Sequence, residues 1–304
     1  MKRYQPAPGL SIPCVAMGCM RIAGMEVGAL ETLVQTALEG GMDFFDHADF
    51  YGDHQSEARF GEMLQANPSL RGRMLIQSKC GIRAGFYDSS YEHIVNSAEN
   101  SLRKLHTDHL DALLIHRPDV LAEPEEIARA FRSLKEAGKV RYFGVSNHSP
   151  MQVEALQQAV GDRLLFNQMQ LSIVHTGMID QGINVNTTFP GSVDRDGGVL
   201  EYMKLKKMVL QVWSPFQHGF IEGVFLDNPA FPEVNRILDE MAEKYGVSKT
   251  ALTVAWLLRL PMMVQVICGT TSPARVKQIL SAAEVTLSRE DWYAIYRAAG
   301  NRLP

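Results

Sequence analysis

The sequence predicts a (β/α)8 barrel, and three observations carry that expectation. Eight short apolar segments alternate along the 304 residues with segments whose apolar positions recur at helical spacing. Each apolar segment runs into a loop rich in polar side chains, where an α/β barrel gathers its chemistry. The glycine-rich turn G-x-G-x-x-G, which marks an open dinucleotide-binding sheet, is missing after the first segment. Alternation of this kind implies parallel strands joined by right-handed crossovers, and eight such strands close on themselves. The whole chain, 1–304, is expected to be one domain, with long loops at 171–198 and 216–228 on the catalytic face.

The first strand is expected at Cys14 to Gly18, turning at Cys19-Met20-Arg21, with a helix from Gly28 to Leu38 that Gly40-Gly41 stops. The second, Asp43 to Asp46, lies in MDFFDHADFYG and is followed by a helix from Gln55 to Gln65. Met74 to Gln77 is the third, ending Ser78-Lys79-Cys80-Gly81, with a helix over Tyr91 to Leu105. Asp111 to Ile115 is the fourth, ending His116-Arg117-Pro118-Asp119, and Pro124 opens a helix that Gly138 ends. Tyr142 to Val145 and Leu164 to Phe166 are the fifth and sixth, running into Ser146-Asn147-His148 and Asn167-Gln168-Met169-Gln170. Met208 to Val212 is the seventh, before Trp213-Ser214-Pro215, and two helices follow, Glu233 to Tyr245 and Lys249 to Arg259. Gln265 to Cys268 is the eighth, ending Gly269-Thr270-Thr271-Ser272 before a helix at Pro273, and a last helix covers Arg289 to Ala299.

Hydrophobic residues make up 46% and charged residues 21%, enough apolar surface for a large core. A formal net charge of -4 argues against a nucleic-acid partner, which calls for a basic face. The 4 cysteines have neither metal-ligand spacing nor a disulfide framework, which fits a reducing, cytoplasmic setting. No apolar run is long enough to cross a membrane.

Closing the barrel turns a list of strand ends into a site. Asp46 and Tyr51 come from the second strand, Lys79 from the third and His116 from the fourth. Taken singly, each has an ordinary structural explanation: a capping Asp, a half-buried Tyr, an ion-pair Lys, a core His. Together they make an acid–base group. Asp46 keeps Lys79 charged, and an ammonium beside a phenol is expected to lower the phenol's pKa towards neutrality. An imidazole nearby orients a carbonyl oxygen or shares its proton.

Seven stretches, MDFFDHADFYG, LIQSKCG, LLIHRPD, VRYFGVSN, NQMQ, VWSPFQHG and CGTTSPAR, fall in order on these strand ends. With them the chain resembles the aldo-keto reductases, NAD(P)H-dependent oxidoreductases on a (β/α)8 barrel, from about Pro13 to the C-terminus. The resemblance implies Tyr51 as general acid, Lys79 and Asp46 as the groups that tune it, and His116 as the residue that orients a carbonyl substrate. It implies reversible reduction of an aldehyde or ketone to an alcohol.

The cofactor residues carry over in the same way. Ser146, Asn147 and Gln168 match the groups that hydrogen-bond the nicotinamide carboxamide, and Trp213 stands where the family stacks an aromatic ring on it. Ser214, Phe216 and His218 match the loop around the pyrophosphate, and Met20 and Arg21 the first-strand turn. Gly269, Thr270, Thr271, Ser272, Arg275 and Gln278 correspond to the adenosine end, where hydroxyls and a guanidinium suit a 2'-phosphate. Many members carry Lys where this chain has Gly269 and Asn where it has Ile279. The hydroxyls and Arg275 make NADPH the expected cofactor, and the two departures leave NADH possible. The substrate pocket is expected to draw on Met20, Phe50, Phe86, Tyr87, Arg117 and the 171–198 loop.

Two rival readings stand beside this one. A metal-dependent barrel hydrolase would use His47, Asp49, His54, His116 and His148, but the paired-His spacing is missing and Lys79 would repel a metal. A non-catalytic nucleotide-binding protein would not need Asp46, Tyr51, Lys79 and His116 together. Cys80, next to Lys79, could be redox-sensitive, but a buried inert thiol is the preferred reading.

Overall fold

The computed structural model describes residues 1–304 and contains a closed barrel of eight parallel strands. The strands are Val15–Gly18, Phe44–Asp46, Leu75–Cys80, Leu110–Ile115, Val140–Ser146, Phe166–Gln170, Val209–Trp213 and Val264–Cys268. They neighbour one another in chain order, and the eighth closes on the first through Val266↔Val15 and Cys268↔Met17. Strands three and seven, and strands four and eight, therefore face each other across the axis.

Period two decides what points inwards. Gly144, inside the fifth strand, has to be glycine: a Cβ there would lie 2.8 Å from Phe166 Cβ and from Leu114 Cδ2. A hairpin, Arg3–Ala7 paired with Leu10–Pro13, plugs the N-terminal mouth and places Leu10 and Ile12 against Ala16, Phe44, Ala112 and Leu114. This hairpin was not expected from the sequence, because its five- and four-residue strands lack an apolar run.

Around the barrel lie α1 (Val27–Glu39), α2 (Ser56–Ala66), α3 (Tyr91–Lys104), α4 (Pro124–Glu136), α5 (Pro150–Ala159), α6 (Gly177–Ile183), α7 (Val199–Lys206), α8 (Pro232–Tyr245), α9 (Lys249–Leu258), α10 (Pro273–Ser281) and α11 (Arg289–Ala298). Proline at the first turn of α4, α5, α8 and α10 sets φ without costing a hydrogen bond. Serine side chains cap α3, α9, α10 and α11. The main core fills the layer between strands and helices, and Trp256 of α9 stacks on Trp292 of α11 with ring centroids 4.8 Å apart. No helix is long and apolar enough to cross a membrane.

Two expectations need correction. The sixth strand begins at Phe166, where the expected one ended, because its paired residues include Asn167, Gln168 and Gln170. Those polar side chains interrupt the apolar signal. The 171–198 segment is also not an open loop over the mouth. It contains α6 and turns outwards to α11, where Tyr296 donates to Asp180 Oδ1 at 2.6 Å, and none of its residues lines the cavity described below.

Candidate functional site

The C-terminal ends of the strands open into one cavity of about 880 Å³. Its floor is Asp46, Tyr51 and His116, with Lys79 sealed beneath them. Lys79 Nζ donates to Asp46 Oδ2 at 2.8 Å, to the His47 carbonyl at 2.8 Å and to the Tyr51 hydroxyl at 3.1 Å, so all three ammonium protons are used. Burial works to lower the Lys79 pKa, but Asp46 and Tyr51 outweigh it and hold the amine above its ordinary value. Lys79 is thus an ammonium despite being fully buried.

Tyr51 departs from expectation. Burial raises the phenol, the ammonium of Lys79 lowers it by less, and the net direction is upwards. Because the Tyr51 oxygen accepts from Lys79, its own proton is free to turn into the cavity. The site holds a directed proton donor rather than a phenolate.

His116 is driven well below the usual imidazole range by burial, with Lys79 and Arg117 adding to the effect, so it is neutral. Its Nδ1 is buried without a partner, and the ring packs 5.8 Å from Tyr51 at 80° and 5.2 Å from Phe50. The imidazole meets the cavity through its other nitrogen.

The polar strand ends beside this floor hold one another. Ser146 Oγ donates to the Gln168 carbonyl at 2.9 Å, Asn147 Nδ2 donates to Ser146 Oγ at 2.8 Å, and the Trp213 indole donates to Asn147 Oδ1 at 3.1 Å. An indole can orient itself in this way because it carries an N–H. Asn147 and Ser214 sit at φ of 59° and 52°, a conformation that costs roughly 1–3 kcal/mol and persists where the surroundings hold it.

Gln168 turns its amide inwards, donating to Asp46 Oδ1 at 3.0 Å and to Gln211 Oε1 at 3.1 Å. Gln77 donates to the same Asp46 oxygen at 2.6 Å. The sequence reading missed Gln77, Gln211 and Gln265, which are buried inside the barrel and linked by hydrogen bonds. Their inward position at alternate strand residues was the signal that could have found them.

The other end of the cavity is lined by Ser214, Phe216, Lys249, Thr250, Gly269, Thr270, Arg275 and Gln278. Here the N-termini of α9 and α10 present backbone N–H groups and hydroxyls, a setting suited to phosphate. Met20 and Arg21 lie on the rim. Thr271, Ser272 and His218 do not line the cavity. Ser272 caps α10 by accepting from the Arg275 N–H, Thr271 is exposed, and His218 packs on Phe231 at 5.0 Å. Ile279 turns into the core while Gln278 faces the cavity. Among the expected pocket residues, Phe50, Tyr87 and Arg117 line it and Phe86 does not. The residues of the rival metal reading, His47, Asp49, His54, His116 and His148, do not converge on one point. Cys80 is fully buried with its thiol pushed well up, an inert setting.

A closed parallel barrel with an acid–base group and a phosphate-suited cleft on its C-terminal face has the layout of a barrel enzyme. The family model for the aldo/keto reductase family matches residues 15–299. The chain is 36% identical to the oxidoreductase YdhF of Escherichia coli over 93% of its length and 92% of that protein's. It is 33% identical to the 6-dehydroglucose reductase of Agrobacterium fabrum over 98% of each chain. Among solved structures, a Klebsiella pneumoniae aldo/keto reductase in complex with NADP and acetate overlays with a TM-score of 0.76 at 22% identity, covering 98% of this chain and 96% of that one. The chain belongs to the aldo/keto reductase family.

Proposed function

We propose that residues 1–304 act as one catalytic domain that reduces an aldehyde or ketone to an alcohol, with Tyr51 as the general acid. NADPH, when bound, supplies the hydride that reaches the carbonyl carbon. The chain's own groups supply the proton and the geometry. The observation that carries the reading is the three-way grip of Lys79 on Asp46, the His47 carbonyl and Tyr51, which turns the Tyr51 proton towards the cavity. Neutral His116 positions the carbonyl oxygen against that proton. A donor so placed is worth roughly 10²- to 10⁴-fold in rate. In the reverse direction the same phenol oxygen, freed of its proton, would take one from an alcohol.

Ser146, Asn147 and Gln168 would hold the carboxamide of the cofactor, Trp213 would stand beside its ring, and the α9 and α10 N-termini with Arg275 would receive its phosphates. The residues fit such a group: the mouth offers polar and aromatic faces, and the far end offers cations and helix N-termini. The four cysteines are free and buried, which supports a reducing, cytoplasmic setting. The test is NADPH consumption with a panel of aldehydes and ketones, comparing wild type with Tyr51→Phe. The reading stands if the variant binds NADPH as wild type does but turns over about 10²-fold or more slowly. Equal turnover by the two proteins would remove Tyr51 from the mechanism.

A further inference from the structure

Arg117 is a cation on the cavity wall with no counter-ion. Its guanidinium sits 5.7 Å from the Phe220 ring centroid and 6.0 Å from that of Trp213, and it makes no hydrogen bond or ion pair with the protein. The only carboxylates that line the same cavity are already engaged: Asp46 by Lys79 at 2.8 Å, and Asp227 by Lys249. Phe50, Ile82, Tyr87 and Phe220 also line the cavity, so an anion at Arg117 meets a cation among apolar groups, while Arg21, also an unpaired guanidinium of the cavity, follows the first strand on the rim.

The cofactor's phosphates do not account for this cation. Their candidate partners, the α9 and α10 N-termini with Arg275, follow the seventh and eighth strands, while Arg117 follows the fourth, which faces the eighth across the barrel axis. Arg117 is next in sequence to His116, on the side where a carbonyl would lie. Two aromatic faces hold the planar guanidinium, which leaves its donors free for a planar, two-oxygen acceptor.

We propose that Arg117 selects carbonyl substrates bearing an anionic group, with a carboxylate as the preferred class, and binds that group while Tyr51 and His116 engage the carbonyl. The proposal rests on the reductase reading above and deepens it. Tyr87 and Phe50 shape the apolar path between the two ends of such a substrate.

The test uses matched pairs that differ only in charge: 4-carboxybenzaldehyde against its methyl ester, and a short aliphatic ω-oxo acid against its methyl ester, each with the full chain and NADPH. In wild type kcat/KM is expected to favour the acid of at least one pair by about ten-fold or more, through KM. In Arg117→Met the acid-to-ester ratio is expected to fall by at least about ten-fold, and Arg117→Lys to keep part of it, because the charge stays while the fork is lost. NADPH titration by tryptophan fluorescence runs alongside as a check on folding and cofactor binding. An unchanged ratio in Arg117→Met, or no preference for either acid in wild type, overturns the proposal while leaving the reductase reading intact. Weakening of NADPH binding by the same factor as the acid's KM assigns Arg117 to the cofactor and also overturns it. If no carbonyl is reduced although NADPH binds, the reductase reading itself fails, and this proposal with it.

Discussion

Gln211 and Gln77 exchange two hydrogen bonds across the inside of the barrel, of 2.9 and 3.0 Å, and so tie strand seven to strand three, its opposite. The pair belongs to a longer chain of amides. Gln211 also donates to Gln265 at 2.8 Å, which donates to the Pro13 carbonyl at 2.8 Å, while Gln77 reaches Asp46. Polar links thus run from the barrel floor to the carboxylate that holds Lys79. Buried amides are costly to leave without partners, so the network favours one arrangement of the barrel interior. Gln211→Leu strands Gln77, Gln168 and Gln265 together and is expected to cost about 2–4 kcal/mol in urea denaturation. Gln77→Leu should cost a similar amount, and the double variant clearly less than the sum of the two. Additive losses would show that the amides act independently.

Acid should destabilise this protein well before its surface carboxylates titrate. Burial, then Lys79, depresses His47 to about 3, and burial depresses His148 to about 4. In both cases the unfolded chain takes up a proton near 6.5 that the native state refuses. Stability is therefore fully present above about 6.5 and is lost as pH falls towards 4. Asp49 works with the opposite sign. Burial beside Glu57 raises it to about 6, so its contribution is present at low pH and is lost as pH rises through about 6. The depressed histidines, with His93, His116 and His175 in the same direction, outnumber Asp49 and Glu57, which burial also raises. The urea midpoint is expected to drop between pH 7 and pH 4.5. His47 has no hydrogen-bond partner on either nitrogen and packs edge-on to Phe60 at 4.6 Å. His47→Leu should therefore leave stability at pH 7 nearly unchanged and recover roughly 2 kcal/mol at pH 4.5. A wild-type midpoint that is flat across this range would contradict the assignment.

Discrimination between NADPH and NADH is expected to rest on Arg275. It is exposed on the first turn of α10, where it lines the cavity with Thr270 and Gln278, and no carboxylate of the chain engages it. Removing a guanidinium from a phosphate costs on the order of ten-fold or more in affinity. Arg275→Ala should weaken NADPH by about that factor and leave NADH within about two-fold, as read by quenching of tryptophan fluorescence. Equal weakening of both would move the 2'-phosphate elsewhere.

The sequence made legible what depends on pattern and on strand ends. Apolar runs marked the strands because a barrel strand is covered on both faces, and Asp46, Lys79 and His116 were found because polar residues directly after such runs share one mouth. Patterns failed where the barrel interior is polar. Asn167–Gln170 reads as the segment after a strand that ends at Phe166 because Asn167, Gln168 and Gln170 are polar, and Gln77, Gln211 and Gln265 stood unremarked within the expected strands. The direction of the Tyr51 pKa was misjudged for a related reason: the charge of Lys79 is visible in sequence, but the burial that outweighs it is not. The 171–198 segment was expected to line the substrate pocket on length and composition alone, whereas its contact with α11 depends on a tertiary bond from Tyr296 to Asp180.

Lys79 has two separable consequences, one for stability and one for rate. Its ammonium neutralises Asp46, which is 2% exposed, and it also fixes the direction of the Tyr51 hydroxyl. Lys79→Met leaves Asp46 as a buried carboxylate without its cation and is expected to lower stability by about 3–5 kcal/mol. Adding Asp46→Asn removes that charge, so the double variant should regain most of the lost stability. It should not regain the rate, because nothing then donates to the Tyr51 oxygen. Turnover of both variants is expected to stay about 10²-fold or more below wild type at saturating NADPH. Recovery of rate along with stability in the double variant would show that Lys79 only neutralises Asp46, and the directed proton of Tyr51 would lose its support.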